Sequence, residues 1–383
     1  MKSNYNQLGQ YIEMVSRTNS DLKYGIEDVR GCSNTKQMMQ TRANLIGRTY
    51  EKFIVLRPQE FVFNRRTTRN GEKIGMAYNN TDREYIFTND YVAFRVKQEY
   101  LDKLLPDYLY MFFCRDEFDR YARYKSTGSA TEFFNWEDMC AVPFEIPPMD
   151  FQQLVVNAYK VLNERIETKQ KINDNLATQA LTLFSDFVSH RSKKLEQRKL
   201  GDVIASANTG GDAIQKVPIV DYDTGIKCAR VGDITNAREY ASWAFCNASK
   251  SVYDNYKLQA GDILVTRTAT LGITQYIAKD ISAVYNNGLI RLKVDDTNAL
   301  SLYIYWAMKT SDFLNYINQM NSATSVRPNM KIDYLLNYQL SIPSIEEQTQ
   351  FTNAVEPLMK AISLNNDEIL KLSEFQAIIL TTL

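Results

Sequence analysis

The sequence predicts an α+β chain in which two copies of a mixed α/β domain are separated by two long antiparallel coiled-coil helices, with pseudo-two-fold symmetry. Three observations carry this prediction. Setting Ile146-Pro147 over Ile342-Pro343, an offset of 196 positions, also matches Gln152 with Gln348, Asn157 with Asn353 and Ala158 with Ala354. Without a gap it further matches Leu162 with Leu358, Ile166 with Ile362 and Leu176 with Leu372. Each copy closes on about 40 residues with apolar positions three or four apart and charged or amide residues between, the pattern of a coiled-coil seam. The 383 residues are also too many for one ordinary core.

The predicted order is domain, helix, domain, helix, at 1–147, 148–192, 193–343 and 344–383. Leu8-Gly9 opens the first domain as Leu200-Gly201 opens the second, and Arg30-Gly31 and Asn34 correspond to Arg230, Gly232 and Asn236. Residues 60–64, 91–96, 262–267 and 289–294 are rich in β-branched and aromatic side chains and bounded by Gly, Asn and Asp, which predicts strands. Residues 106–124 and 299–320 have the periodicity of amphipathic helices. Tyr108, Tyr110, Phe118 and Tyr121 in the first recur as Tyr303, Tyr305, Phe313 and Tyr316 in the second. Ser129-Ala130-Thr131 then recurs as Ser322-Ala323-Thr324.

The seam of the first long helix is Phe151, Val155, Ala158, Leu162, Ile166, Ile172, Leu176, Ala180, Leu183 and Phe187. The second is Phe351, Val355, Leu358, Ile362, Ile369, Leu372, Ile379 and Leu383. At roughly 1.5 Å per residue such a helix is about 60 Å long, more than the width of one of these domains. Pro357 predicts a kink, or a helix that begins just before it. If the seams pair within the chain, the second helix runs back antiparallel and the product is a dumbbell. Two related heads on a spacer suit a ligand with two sites on one face, and duplex DNA is such a ligand.

Composition narrows the function. Hydrophobic content of 44% and aromatic content of 12% describe a globular chain, and 24 tyrosines suit half-wet surfaces that meet a partner. A formal net charge of zero supplies no global field for nucleic acid, so binding rests on local patches. Cys32, Cys114, Cys140, Cys228 and Cys246 are odd in number and form no C-x-x-C pair, the pattern of reduced thiols. The first residues lack the apolar core of a signal peptide, and no apolar run is long enough to span a membrane. A cytoplasmic protein is expected. His190 is the only histidine, so there is no His-based triad or multi-His metal site. No phosphate loop or dinucleotide fingerprint occurs, and no nucleophile is paired with a base. In Ile146-Pro147-Pro148-Met149, Ile146 cannot accept a hydrogen bond from a base amine and Met149 cannot stack on it, so the prolines mark a helix start and not a methyltransferase loop. Arg191, Lys193, Lys194, Arg198 and Lys199 lie in a polar link and read as a solvated run. No catalytic residues are expected.

The densest basic stretch inside a domain is Asn64, Arg65, Arg66, Arg69, Asn70 and Lys73, directly after the strand at 60–64. Its counterpart in the second copy is Thr266, Arg267, Thr268 and Thr270, with Arg267 over Arg65. Arginine binds guanine with two hydrogen bonds, asparagine does so with adenine, and threonine hydroxyls suit phosphates. A polar hairpin also accounts for either stretch, but the recurrence favours DNA contact. Two Ser/Thr loops add Thr131 in the first copy and Thr324, Arg327 and Asn329 in the second, although such hydroxyls also serve as helix caps. Arg230, in Arg230-Val231-Gly232-Asp233, joins the candidates.

These pieces resemble the DNA-specificity subunit of Type I restriction-modification systems. They are the Leu-Gly starts, the acidic strand leading to Arg (Gly261-Asp262-Ile263-Leu264-Val265-Thr266-Arg267), the Ser-Ala-Thr turns, and Ile-Pro before a Gln-bearing helix. The resemblance spans the two-copy layout and is closest in the second half. It implies two target-recognition domains, each reading one half of a bipartite double-stranded DNA target. It also implies helices that set the spacer and dock two methyltransferase subunits. Those partners would carry S-adenosylmethionine, and restriction or translocase subunits would bring ATP and Mg2+; this chain would bind no cofactor and have no catalytic residues. The neutral charge and Pro357 depart from the pattern. The first domain lacks the Arg-x-Gly-Asp form of the second, which implies different half-sites. The competing reading is a coiled-coil scaffold whose two domains recognise protein and not DNA.

Overall fold

The structure, a computed structural model, describes residues 6–41, 45, 47–67, 73–128, 132–190, 196–323 and 328–383. It divides into two compact units, Met1–Ile166 with Lys371–Leu383, and Glu167–Leu370.

The first unit carries short strands β1 (Ile12–Val15), β2 (Arg30–Cys32), β3 (Met38–Gln40), β4 (Ile54–Leu56), β5 (Phe61–Asn64), β6 (Met76–Tyr78), β7 (Tyr85–Phe87) and β8 (Tyr91–Val96). Four of them form an antiparallel sheet in the order β1-β8-β5-β6, while β2–β3 and β4–β7 are separate antiparallel pairs. Side chains alternate across a strand, so Phe61 and Phe63 share one face and Val62 takes the other. The phenylalanine face packs on α1 (Pro106–Phe113), α2 (Asp116–Lys125) and α3 (Trp136–Cys140) through Leu109, Phe113, Phe118 and Met139. Val62 meets Leu56 and Phe87 of the β4–β7 pair on the opposite side. From this unit α4 (Met149–Ser189) departs.

The second unit repeats the plan with β9 (Glu196–Lys199), β10 (Ile204–Thr209), β11 (Lys227–Ala229), β12 (Ile263–Thr266), β13 (Thr274–Tyr276), β14 (Ala283–Tyr285), β15 (Leu289–Val294) and β16 (Gln339–Ile342). Its sheet runs β10-β15-β12-β13, the same order and sense as the first. Here the companion pair β11–β14 is parallel, and β9 pairs antiparallel with β16. The helices are α5 (Val231–Thr235), α6 (Lys250–Tyr256), α7 (Ser301–Ala307), α8 (Ser311–Ala323), α9 (Ile332–Leu336) and α10 (Ile345–Thr381). The stretches expected as helices at 106–124 and 299–320 are thus each a broken pair, α1–α2 and α7–α8. Arg198 and Lys199, expected in a solvated link, belong to strand β9.

Two matched positions acquire a physical role. Before β5 the Glu60 carboxylate accepts from the Arg57 amide at 2.8 Å, and before β12 the Asp262 carboxylate accepts from the Gln259 amide at 2.9 Å. The residue ahead of each acid is left-handed, Gln59 at φ 63° and Gly261 at 87°. The acid therefore ties a turn that delivers the chain into the strand. The matched glutamines are latches. Gln152, fully buried, accepts from the Leu105 amide at 2.9 Å and donates to the carbonyls of Lys103 and Pro147. Gln348, equally buried, accepts from the Leu300 amide at 2.7 Å and donates to the Pro343 carbonyl at 2.9 Å. Each latch holds the first turn of a long helix to the loop before α1 or α7, where a buried amide must find partners.

The helical seams differ from the expectation in detail. In α4, Ile172 and Leu183 are 42% and 41% exposed, and the buried side passes through Ile166, Ala180 and Phe184. Steps of three and four from Ile166 then put the half-buried Lys169 and Asn173 on the seam. The helix containing Pro357 begins at Ile345, not just before the proline. A reciprocal cap starts it: the Ser344 hydroxyl accepts from the Glu347 amide, and the Glu347 carboxylate accepts from the Ser344 amide. Pro357 and Asn353 are exposed, so water can meet the carbonyl that the proline leaves without its donor. Within the second unit the helices are antiparallel, because Lys169 meets Glu368 at 2.7 Å while Phe184 meets Phe351. In the first unit, Val156 and Leu383 lie on the phenylalanine core.

Candidate nucleic-acid interface

In both units the two loops singled out from sequence are hydrogen-bonded to each other at the end of the same strand. Beyond β5, the Arg65 carbonyl accepts from the Phe134 amide at 2.9 Å, Arg66 pairs with Phe133, and the Thr67 amide donates to the Glu132 carbonyl at 3.0 Å. Phe133 pairs in turn with Thr127, so the segment after α2 completes a three-stranded ribbon. Beyond β12, the Arg267 carbonyl accepts from the Met330 amide at 2.8 Å and Thr268 pairs with Asn329. Phe134 and Met330, equivalent in this bonding, are both fully buried and anchor the ribbons in their cores.

The side chains on these ribbons are not equally available. Arg65 is exposed and has no side-chain partner among the described residues. Asn64, half-buried, accepts from the Arg66 amide at 3.0 Å. Arg66 reaches Asp90 at 3.5 Å and Lys73 reaches Asp116 at 3.3 Å; both pairs are solvent-exposed and therefore weak. Arg69, Asn70, Thr131, Thr324 and Arg327 lie outside the described residues. Thr270 and Asn329 are exposed, and Thr268 is half-buried.

The expectation for Thr266 needs correction, and Arg230 already has a partner. Thr266 is completely buried, and its hydroxyl accepts from the Ile273 amide at 2.9 Å, so it closes the loop from inside and has no surface to offer a ligand. Arg230 donates from Nε and Nη2 to the two carboxylate oxygens of Asp233, at 3.0 and 3.3 Å. That fork is a clasp on a buried acid, which also pairs with Arg238 at 3.4 Å. Arg230 still belongs to the neighbourhood. A Cβ on Gly288 would stand 2.6 Å from Val231 and 3.1 Å from the Thr268 hydroxyl, so this glycine lets the two segments close up. Arg267 is intermediate, donating to the carbonyls of Met330 at 3.2 Å and Asn287 at 3.4 Å.

The base of the first loop is held by a buried ion pair. Asp119 accepts from the Ile74 amide at 3.0 Å and from the Lys36 ammonium, which also donates to the Ile74 carbonyl at 2.9 Å. Burial pulls the Lys36 pKa down, and the Asp119 charge opposes that shift. Sequence reading missed this pair because its members lie far apart in the chain. It also missed Tyr124, 83% exposed at the end of α2 beside the Lys125 ammonium. The signal was present: Phe118 and Ala122 face the core, which turns position 124 outward.

Comparison with known proteins fits this geometry. Residues 192–374 match the family model described as the Type I restriction modification DNA specificity domain. The S subunit of a Type I restriction-modification system from M. genitalium aligns over 99% of this chain and 96% of its own, at 13% identity and a TM-score of 0.52, which shows a shared fold. The HsdS subunit from Thermoanaerobacter tengcongensis aligns over 99% of this chain and 95% of its own, at 16% identity and a TM-score of 0.35. A structure of a Type I restriction-modification system described for its complex assembly and conformational transition aligns at 15% identity, over 99% and 96%, with a TM-score of 0.40. No curated protein matches the chain. The family model covers the second copy, and the first repeats its strand order, acid turn and loop pairing. Residues 192–374 thus carry a Type I restriction modification DNA specificity domain, by their match to that family model.

Proposed function

We propose that this DNA-specificity subunit reads a bipartite double-stranded target, one half with each reading domain (1–147 and 193–343). The paired helices (148–192 and 344–383) set the spacer and dock two methyltransferase subunits. Catalysis belongs to those partners, which would carry S-adenosylmethionine; restriction or translocase subunits would add ATP and Mg2+. No helix among the described residues is long and apolar enough to cross a membrane, which suits work on DNA in the cytoplasm. One observation supports the reading above all: the same pair of loops is joined at the end of the same strand in both units. A duplicated surface of this kind suits a ligand that presents two related sites.

Enrichment from a pool of random duplexes tests this directly. The expected product is two short half-sites separated by an unread spacer; a protein scaffold would enrich no split sequence. Inserting one heptad into each helix should lengthen the spacer by about three base pairs, since seven residues add about 10 Å. The half-sites should not change, and an unaltered spacer would remove the ruler.

Arg65 offers the cleaner point test, because its guanidinium has no structural duty among the described residues. Arg65→Ala should weaken one half-site by about 1–3 kcal/mol while sparing the other, if the arginine binds a guanine with two hydrogen bonds. Titration against duplexes mutated in either half measures this. Equal weakening on all sequences would reduce Arg65 to a phosphate contact.

A further inference from the structure

We infer that a chain of side-chain amides in the second unit pins the register of α4 against α10 and ties that register to the second domain. Asn365 and Asn366 of α10 interleave with Asn173 of α4. The Lys169 ammonium donates to the Asn365 carbonyl oxygen at 3.0 Å, and the Asn365 amide donates to the Asn173 oxygen at 2.8 Å. The Asn173 amide donates to the Asn366 oxygen at 2.7 Å, and the Asn366 amide donates to the Glu239 carboxylate, also at 2.7 Å. All four hydrogen bonds point the same way, from a cation to an anion. Aligned dipoles of this kind polarise and strengthen one another. Lys169 is also paired with Glu368 at 2.7 Å, which closes the cationic end on α10.

The placement of these groups matters as much as their bonding. Steps of four and three from Phe351 run through Val355, Leu358, Ile362, Asn365, Ile369 and Leu372, so Asn365 occupies a seam position. Lys169 and Asn173 occupy seam positions of α4. Sliding either helix by a turn would set these polar groups against Ile369, Ile362 or Leu176 and leave donors and acceptors unmet. One polar seam layer selects register in this way, at some cost in stability. The layer is also not a relic of the repeat, because Asn173 aligns with Ile369 and Asn365 with Lys169. Glu239 lies outside the helices, in the chain between α5 and α6, so the same bonds that set register also orient the domain. Glu239 is exposed, and the bond from Asn366 is what holds its carboxylate to the helix.

The consequence for DNA rests on the reading of the helices as a spacer, and the experiment separates the two ideas. Spin labels on encoded ketone side chains replace the exposed Gln179 and Lys360 in the full chain, with and without Asn173→Leu plus Asn365→Leu. The native pair should give one distance. The double variant should give several, displaced in steps of about 5 Å, one helical turn, with no loss of thermal stability. A single unchanged distance in the variant overturns the register pin. The same proteins then select from random duplexes, and the variant should keep its half-sites but accept several spacer lengths. One unchanged spacer alongside several helix distances overturns the link from register to spacing. If the native chain selects no split sequence, the spacer reading fails, and the distances still decide the pin.

Discussion

Asp119→Ala is expected to lower the stability of the first unit by about 3–5 kcal/mol, the usual cost of stranding one member of a buried ion pair. Both side chains are almost wholly buried, and the carboxylate serves the Lys36 ammonium and the Ile74 amide together. Removing it leaves a charge among apolar neighbours with only the Ile74 carbonyl, so the lysine pKa should fall further. The pH dependence has a definite sign. A lysine whose folded pKa lies below its unfolded one is protonated more in the unfolded chain, so between those values stability rises with pH. The deficit of Asp119→Ala should therefore shrink as the pH climbs towards 10, which urea unfolding at neutral and alkaline pH would measure. Replacing both members, Lys36→Met with Asp119→Leu, should recover most of the loss. The functional effect follows from position: Ile74 ends the loop that begins at Asn64, so its amide should exchange faster in Asp119→Ala, and the half-site we propose for Arg65 should weaken. A loss no larger than that of an exposed pair would show that the lysine finds another partner.

Phe351→Ala should be comparably damaging to the second unit, by about 3–5 kcal/mol for a buried phenylalanine that cannot be replaced by collapse. Its ring stands 5.2 Å from Phe184, 5.5 Å from Phe187 and 5.9 Å from Tyr303, joining both long helices to α7. Phe351→Leu should cost far less, because it keeps most of the volume. At the equivalent position of the first unit stands Val155, so Val155→Ala should cost less than Phe351→Ala. Denaturant midpoints for the three variants provide the comparison, and equal losses for Ala and Leu at position 351 would point to lost edge-on ring contacts and not to a cavity.

Much of the fold was legible because it is repetitive and local. The strands at 61–64, 91–96, 263–266 and 289–294 announce themselves through β-branched and aromatic runs, and the offset of Gln152 to Gln348 aligns two whole units. The breaks inside the domain helices were not legible, because the apolar spacing continues across Cys114-Arg115 while the backbone turns. The seam was read one residue off at Ile172 and Leu183 for a related reason. An isoleucine or leucine looks like a core residue, yet helical phase places Asn173 and Phe184 inward.

For the candidate site, residue types pointed to Arg65 and Arg267, and order along the chain placed them after equivalent strands. The sequence by itself determined that there are two units, that each holds a basic or hydroxyl-rich loop after its central strand, and that a long helix follows each domain. Only the tertiary structure decided which loop segments meet and which side chains remain free. Hydrogen bonds such as Phe134 to Arg65 and Met330 to Arg267 join residues more than sixty positions apart, and no local pattern encodes such a partner. For the same reason the burial of Thr266 and the Asp233 partner of Arg230 were not legible in the sequence.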